Sequence, residues 1–513
     1  MKPASLLLIH PPAARTTEAP LGIARLAGFL RLRGVPVKTL DLCAEGLSWV
    51  LSDEYAGTHP VSGDTWTRRA LKNRERNGDA LRSASLYQNS ERHSRAVRDL
   101  NRALYALSSP GTELSLADYR DEALSPLRRA DLLAAATGYH ANIFHPFFRS
   151  RLEAVFAEFP STLVGISVNY LSQALCAFAL AGLIKAEYPG RKIVLGGGLI
   201  NSWLSQGCLA AGETFNGLFD AILGGRGEDS LASYLDLEPC VSVAPDFDDF
   251  EAVPYFAPTR IIPYNFSVGC PWKRCTFCPE KAEDARYRGV SVAGGLAEIA
   301  ALVSSYDPGL LHLTDNELGP AYLRALSDAP PGPPWYGFSR FSSELADPAF
   351  CRRLAASGCR MLQLGLESGD QAVLDALGKG TKLGEIEAIL ENLKVAGIGT
   401  FIYVLFGTPA ENRDAALVTR DFVARHSECI DFLNVAVFNM PATSEEAATL
   451  QTRPFYEGDL SLYREFEHPA GWNRDGVRSF LARDFEAEPR IKGILLRNPP
   501  IFTSNHAAFL LNR

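Results

Sequence analysis

Three cysteines stand within nine residues of this 513-residue chain, in the stretch VGCPWKRCTFCPEKAED: Cys270, Cys275 and Cys278. Thiolates are ligands for zinc and for iron–sulfur clusters. A structural zinc ion takes four ligands in a closed tetrahedron, and an ordinary cubane cluster takes four cysteines. Three on one loop leave one metal position open, and an open position is where a substrate or cosubstrate coordinates, as at a catalytic zinc with three protein ligands. Zinc completed by a distant residue such as Cys240 or His312 is the structural alternative. The other seven cysteines (Cys43, Cys176, Cys208, Cys240, Cys351, Cys359 and Cys429) are scattered singly. In a large chain of this kind such residues act as small buried hydrophobes and not as a disulfide framework.

The elements around the cluster explain how it would be held. From residue 260 onward, strand-like runs at 260–269, 309–317, 335–340, 361–369, 399–407 and 431–438 alternate with helical stretches at 292–305, 321–327, 347–357, 383–395 and 413–426. Six β/α repeats predict a partial (β/α)6 barrel, whose chemistry belongs at the carboxyl ends of its strands. The polar residues fall at those ends: Cys270, then Asp315 and Asn316, then Arg340, then Glu367 and Ser368. Residues 441–513 show no repeat and read as a small C-terminal cap over the barrel mouth, with 503–507 (TSNHA) and the packed or solvent-facing His506 as guesses for a substrate-facing stretch.

Upstream, buried strands at 5–10, 36–42, 163–168, 192–198 and 219–225 are separated by helical patterns such as 19–34 and 172–190. Continuous apolar strands divided by helices predict a parallel sheet covered on both faces, a doubly wound α/β domain spanning 1–237. Residues 46–160 interrupt it as a helical insertion whose charge-dense stretch SERHSRAVRDLNRALYAL reads as a solvated helix face, with recognition of a partner as the minor reading, and the insertion is a further guess for a substrate-facing region. The proline-rich, acidic stretch 238–260 is a linker, and the barrel occupies 261–440.

Composition narrows the function classes. Apolar residues are 47%, charged residues 21%, and the formal net charge is −8. Such a chain is globular with ample core and lacks the global basic field that captures nucleic acid. The longest apolar run, 175–184, is about half a bilayer span, and the first residues carry no signal-peptide pattern. A cytoplasmic protein with no membrane span is expected.

The three-cysteine loop with Phe277 before its last cysteine strongly resembles that of the radical S-adenosylmethionine (radical SAM) enzymes. The family's usual spacing is three residues and then two; here four (PWKR) and then two (TF) intervene. The resemblance implies a four-iron, four-sulfur (4Fe-4S) cluster on Cys270, Cys275 and Cys278, with S-adenosylmethionine on the open iron. It also implies cosubstrate contacts from Thr314, Asp315 and Asn316 (LTDNE), from Arg340, from Glu367 and Ser368 (LGLESGDQAVLDALGKGT) and from Gly407, with Pro409, near the adenine (YVLFGTPAEN).

The domain ahead of the barrel looks like the Rossmann-like cobalamin-binding domain of the cobalamin-dependent radical SAM subfamily, on LLLIHPP with PLGIARLAGFLRLRG, VGISVNYLSQAL, KIVLGGG and DAILGGRGEDSL. Small residues at strand ends let a flat ring approach the backbone. The resemblance implies cobalamin contacts from His10, Pro11, Ser167, Asn169, Gly196, Gly197, Gly198, Gly225 and Gly227. DLCAEG (41–46) mimics the cobalamin fingerprint with Cys43 in place of histidine, but follows the second strand instead of the first. Cobalamin is therefore expected without a histidine or Cys43 beneath it, with His10 as a wall.

The implied activity is methylation of an unactivated carbon through a 5′-deoxyadenosyl radical and methylcobalamin. The alternatives are a non-methylating cyclisation or rearrangement and, from another class, a cobalamin- or metal-binding sensor without turnover. The implied partners are a small-molecule or peptide substrate and an external one-electron reductant of flavodoxin or ferredoxin type.

Overall fold

In this computed structural model the described residues are 5–59, 63–239, 242–283, 286–500 and 505–511. They form two compact units. The first is Met1–Thr259 with Tyr456–Leu462 and Pro500–Thr503; the second is Arg260–Phe455 with Tyr463–Pro499 and Ser504–Arg513. Cys240, Thr503 and Ser504 lie outside the described residues. No helix among the described residues is long and apolar enough to cross a membrane.

The first unit is built on five parallel strands: β1 (Leu6–His10), β2 (Val37–Asp41), β3 (Leu163–Ser167), β4 (Lys192–Gly196) and β5 (Ala221–Ile222). Their order is β2-β1-β3-β4-β5, with Leu6 in register with both Val37 and Leu163. Every residue of β1 is buried, as a strand covered on both faces requires. The chain runs from β1 to β2 on one side and returns as β3 on the other, so the strand order reverses between β1 and β3. In open α/β sheets that switch point, at the carboxyl ends of the strands, is the ligand crevice.

The excursion between β2 and β3 is mostly helical. In the helix Ser90–Leu107, the buried positions His93, Ala96, Val97, Leu100, Ala103, Leu104 and Leu107 fall on one stripe with Asp99, which is buried against Trp66 and Arg69, and the arginines lie off that stripe. A short antiparallel hairpin, Thr112–Leu114 with Tyr119–Asp121, also stands in it. Its three-residue strands carry too little alternation to be read from sequence. The stretch 242–259 is bound along the unit: Asp249 accepts from Arg31 (2.9 Å) and from the Thr39 amide (2.9 Å), and Tyr255 donates to Asp41 (2.9 Å). From the C-terminal segment, the Leu460 carbonyl accepts from the Trp203 indole at 3.0 Å.

The second unit holds six parallel strands in chain order: β6 (Ile261–Tyr264), β7 (Leu310–Leu313), β8 (Trp335–Ser339), β9 (Cys359–Glu367), β10 (Gly399–Phe406) and β11 (Phe432–Val437). Helices Val292–Tyr306, Pro320–Asp328, Pro348–Ala356, Leu383–Ala396 and Arg413–Arg425 connect them. Strand parity sorts the side chains. Leu311, Leu313, Leu362, Leu364, Ile402 and Val404 are buried on one face. The register puts His312 beside Tyr336, Phe338 beside Gln363 and Tyr403 beside Asn434 on the other.

The C-terminal residues of this unit add a three-stranded antiparallel sheet and the helices Arg474–Phe480 and Pro489–Leu495. His506 packs between Phe401 (4.3 Å) and Phe432 (4.8 Å), near the amino ends of β10 and β11. The described part of the stretch 503–507 therefore sits at the opposite end of the sheet from the cysteine loop. That corrects its expected substrate-facing position, because two aromatic rings bury His506 where strands begin.

Candidate functional site

The cysteine loop leaves the carboxyl end of β6 and is held at its start by Asp315. That carboxylate accepts from the Phe266 amide (3.0 Å), the Ser267 amide (2.7 Å) and the Ser267 hydroxyl (2.6 Å). Thr314 ties the end of β7 to β6 through its amide, which donates to the Tyr264 carbonyl at 2.7 Å. Ser267–Val268 then pairs with Arg288–Gly289, closing the loop at its base. Its back is fastened to the turn after β9: the Thr276 amide donates to the Leu377 carbonyl (3.0 Å) and the Trp272 indole to the Gly378 carbonyl (2.9 Å).

Gly378 (φ +64°) and Gly380 (φ +70°) flank Lys379 in that turn. Both take the left-handed conformation that glycine adopts without steric cost. Lys379 is thereby directed inward, its ammonium 2.8 Å from Glu367 Oε1. Glu367 itself has φ +64° at an irregularity in the β9–β10 register. A non-glycine residue held there is costly and concentrates at functional sites. Ser368 turns the other way: fully buried, it lies 3.0 Å from the Thr419 hydroxyl. The sequence pairs Glu367 with Ser368 at the cosubstrate, but the reversal of the chain at the strand end sends them apart.

Arg340 links the parts. It stacks on the Trp272 ring (4.3 Å), donates to the Lys379 carbonyl, and approaches Cys275 Sγ to 3.9 Å and Glu317 Oε1 to 3.8 Å. The second oxygen of Glu317 is 3.8 Å from Cys270 Sγ. Burial raises the Cys275 thiol pKa, while Lys379 and Arg340 pull it down. Burial raises Cys278 to about 11 and also raises the Glu317 carboxyl, against the attraction of Arg340 and Lys379. A metal displaces such thiol protons, and nearby cations favour the thiolate form. Asn316 is exposed, with its side chain on Glu280.

Gly407 (φ +81°) ends β10 and donates its amide to Glu411 Oε2 at 2.6 Å. The same oxygen accepts from the Trp472 indole at 3.1 Å. Glu317, Lys379, Trp272 and Glu411 were not singled out by sequence reasoning. The signals available were the last letter of LTDNE and the glycines around Lys379.

Among the described residues no three His, Cys, Asp or Glu converge as the ligands of a single ion would. Zinc requires that convergence. The cysteines of a polynuclear cluster bind different irons, and three soft thiol donors carried on one loop suit it. His312, the described candidate for a fourth zinc ligand, is stacked on Tyr336 at 4.3 Å.

In the first unit, Gln173 draws the crevice residues together. Its amide nitrogen lies 3.3 Å from His10 Nε2 and donates to the Pro11 carbonyl at 2.6 Å, while its oxygen accepts from the Asn169 amide at 2.8 Å. Asn169 donates to Ser167 Oγ (3.3 Å) and accepts from the Gly198 amide (2.9 Å). His10, Pro11, Ser167, Asn169 and Gly196–Gly198 thus form one group across the ends of β1, β3 and β4. Gly197 has φ +112°, and a Cβ there would collide with the Val168 backbone, so this glycine is required by loop packing. Gly225 and Gly227 stand apart beyond β5, with Gly225 held by Asn201 at 2.8 and 3.0 Å.

His10 is 6% exposed, and burial lowers its pKa to about 4. Cys43 Sγ accepts from the Ala14 amide at 3.0 Å and is wholly buried.

Residues 264–423 match the radical SAM superfamily. Among curated proteins none matches the chain in sequence. Solved structures share its fold. OxsB, a cobalamin-dependent S-adenosylmethionine radical enzyme with aqua-cobalamin and S-adenosylmethionine bound, superposes with a TM-score of 0.53 at 14% identity, over 83% of this chain and 52% of that one. The radical S-adenosylmethionine methyltransferase TsrM from Kitasatospora setae, with cobalamin and a 4Fe-4S cluster bound, gives 0.52 at 15% identity, over 90% and 84%. TsrM with its tryptophan substrate and a SAM analogue gives 0.51 at 15%, over 90% and 82%. The chain thus spans about half the length of OxsB and most of TsrM.

Proposed function

We propose that this chain, which carries a radical SAM domain at residues 264–423 within a fold shared with cobalamin-dependent radical SAM enzymes, is itself such an enzyme and methylates a carbon of a small-molecule or peptide substrate. The observation that carries the reading is the three-thiol loop at the carboxyl end of the first strand of a six-stranded parallel sheet, clasped by Asp315 and faced by Arg340 and Lys379.

When bound, the cluster supplies the electron that cleaves S-adenosylmethionine, and cobalamin supplies a methyl carrier. Cys270, Cys275 and Cys278 hold the cluster. Asp315 fixes the loop that bears them. Arg340 offers a planar cation suited to the cosubstrate carboxylate; Thr314, Asn316 and Glu367 offer acceptors for its amine or ribose; Gly407 lets the adenine approach backbone. Ser368 and Asp315 support these groups from behind. In the first unit the crevice between β1 and β3, with Ser167, Asn169 and Gly196–Gly198 at its edge, holds the corrinoid, and Gly225 and Gly227 line its far side. His10 walls that crevice as a neutral imidazole.

The test is anaerobic reconstitution followed by incubation with dithionite, S-adenosylmethionine and cobalamin. 5′-Deoxyadenosine and methionine are the expected products, and their absence from cluster-loaded protein overturns the radical reading. S-Adenosylhomocysteine alongside them marks methyl transfer. With a substrate supplied and turned over, its absence marks cyclisation or rearrangement instead.

A further inference from the structure

Beside the cysteine loop, the second unit has a cavity of about 370 Å³ lined by Pro271, Trp272, Tyr287, Glu317, Pro320 and Tyr322 among others. Apolar side chains dominate this lining. Trp272 is one wall; Arg340 stacks on its ring at 4.3 Å and reaches Cys275 Sγ at 3.9 Å. Glu317, another wall, reaches Cys270 Sγ at 3.8 Å. Glu317 thus stands between this hollow and the Cys270 thiol, and Trp272 with Arg340 between it and the Cys275 thiol.

The surface around the hollow is basic and aromatic. Arg274 stacks on Trp272 at 4.9 Å and is exposed. Arg286, Tyr287 and Arg288 are exposed on the segment that closes the loop, and Val268, paired with Arg288, is 49% exposed. Of the cations between 268 and 288, Arg274, Arg286 and Arg288 are exposed, while Lys281 is paired with Glu445 at 3.1 Å. In a protein of net charge −8, these three exposed arginines give an approaching anionic partner a place to settle. An apolar centre containing Trp and Tyr, rimmed by arginines, has the anatomy of a protein-docking surface.

We propose that this face docks an acidic electron-carrier protein, seating the edge of its redox group against Trp272 so that one electron passes from the reduced carrier to the cluster. The carrier is oxidised by one electron, the cluster is reduced by one, and no bond is made or broken at the surface. The proposal rests on the reading of the cysteine loop given above.

Purified flavodoxin and a plant-type ferredoxin serve as probes, tested by calorimetric binding and by anaerobic cluster reduction followed optically. The wild type is expected to bind at least one of them at low ionic strength and to release it as salt is added. The triple variant Arg274→Glu, Arg286→Glu, Arg288→Glu is expected to weaken binding and slow carrier-driven reduction by about tenfold or more. Its iron content and its reduction by dithionite should match the wild type. If the triple variant fails to load iron, Arg274→Gln, Arg286→Gln, Arg288→Gln is read in the same way. Equal binding and equal reduction in variant and wild type overturn the docking surface, as does a wild type that binds neither carrier. A wild type with no dithionite-reducible iron overturns the parent reading instead.

Discussion

Lys379 places its ammonium nitrogen 2.8 Å from Glu367 Oε1, with both side chains almost sealed from solvent. Three backbone features converge on this pair. Glu367 is held at φ +64°, Lys379 sits between two left-handed glycines, and a Cβ at Gly365 would strike both charged groups. The pair lies at the strand end nearest Cys275, on which Lys379 exerts an attraction that favours the thiolate.

Breaking one side of a buried ion pair leaves an uncompensated charge, at a cost of about 3–5 kcal/mol. Lys379→Met is expected to lower stability to urea by that order. The double variant Lys379→Met, Glu367→Gln should recover most of the loss. A double variant no more stable than the single one would show that the charge itself is not what matters.

Cys270→Ala, Cys275→Ala and Cys278→Ala are each expected to abolish the cluster. Wild type reconstituted anaerobically should carry about four irons and four sulfides per chain. Asp315→Ala removes three hydrogen bonds to Phe266 and Ser267. It should reduce cluster retention without touching a ligand. Iron and sulfide analysis with electron paramagnetic resonance reads all four variants; stoichiometric zinc in place of iron contradicts the assignment.

Glu411 is buried with Asp370 adding repulsion, and its carboxyl pKa rises from 4.5 to about 7. The folded state therefore holds this proton more tightly than the unfolded chain. Between those two pH values the folded state binds more protons, so this group's contribution makes stability fall as pH rises, and the loss is complete above about 7. Glu411→Gln keeps an acceptor for the Gly407 amide and the Trp472 indole but cannot ionise. The difference in melting temperature between wild type and Glu411→Gln should move in favour of the variant from pH 5 to pH 8. A difference independent of pH would mean the carboxyl titrates normally.

His10 Nε2 is engaged by the Gln173 amide nitrogen at 3.3 Å, so it is not expected to ligate cobalt. His10→Ala should bind cobalamin with the same visible absorption and the same cob(II)alamin resonance as wild type. A spectral change on removing the imidazole would make it an axial ligand. Gln173→Ala, which removes contacts to Pro11 and Asn169 together, should weaken cobalamin binding more than His10→Ala does.

Local signals carried the architecture. Period-two and period-3.6 patterns mark strands and helices because neighbouring residues alone decide which face is apolar, and the strand and helix runs of the barrel coincide closely with β6–β11 and their connecting helices. The cysteine spacing is equally local, since one loop must bring its own ligands together. The roles of the polar residues were not local. Asp315 sits in the strand-end position the barrel pattern marks, but only folding shows its carboxylate turned onto Phe266 and Ser267, far away in sequence.

Tertiary structure alone decided the rest. Glu367 and Ser368 diverge because the backbone reverses at a register irregularity. Arg340 meets Trp272, Glu317 and Lys379 because three strand ends and a turn close on it. His506 is buried at the amino ends of β10 and β11 by rings contributed from both strands. Sequence by itself determined which elements form and which loop carries the thiols, since those follow from residues close together in the chain. Which charges face those thiols depends on contacts between residues tens of positions apart, and only the packed fold creates them.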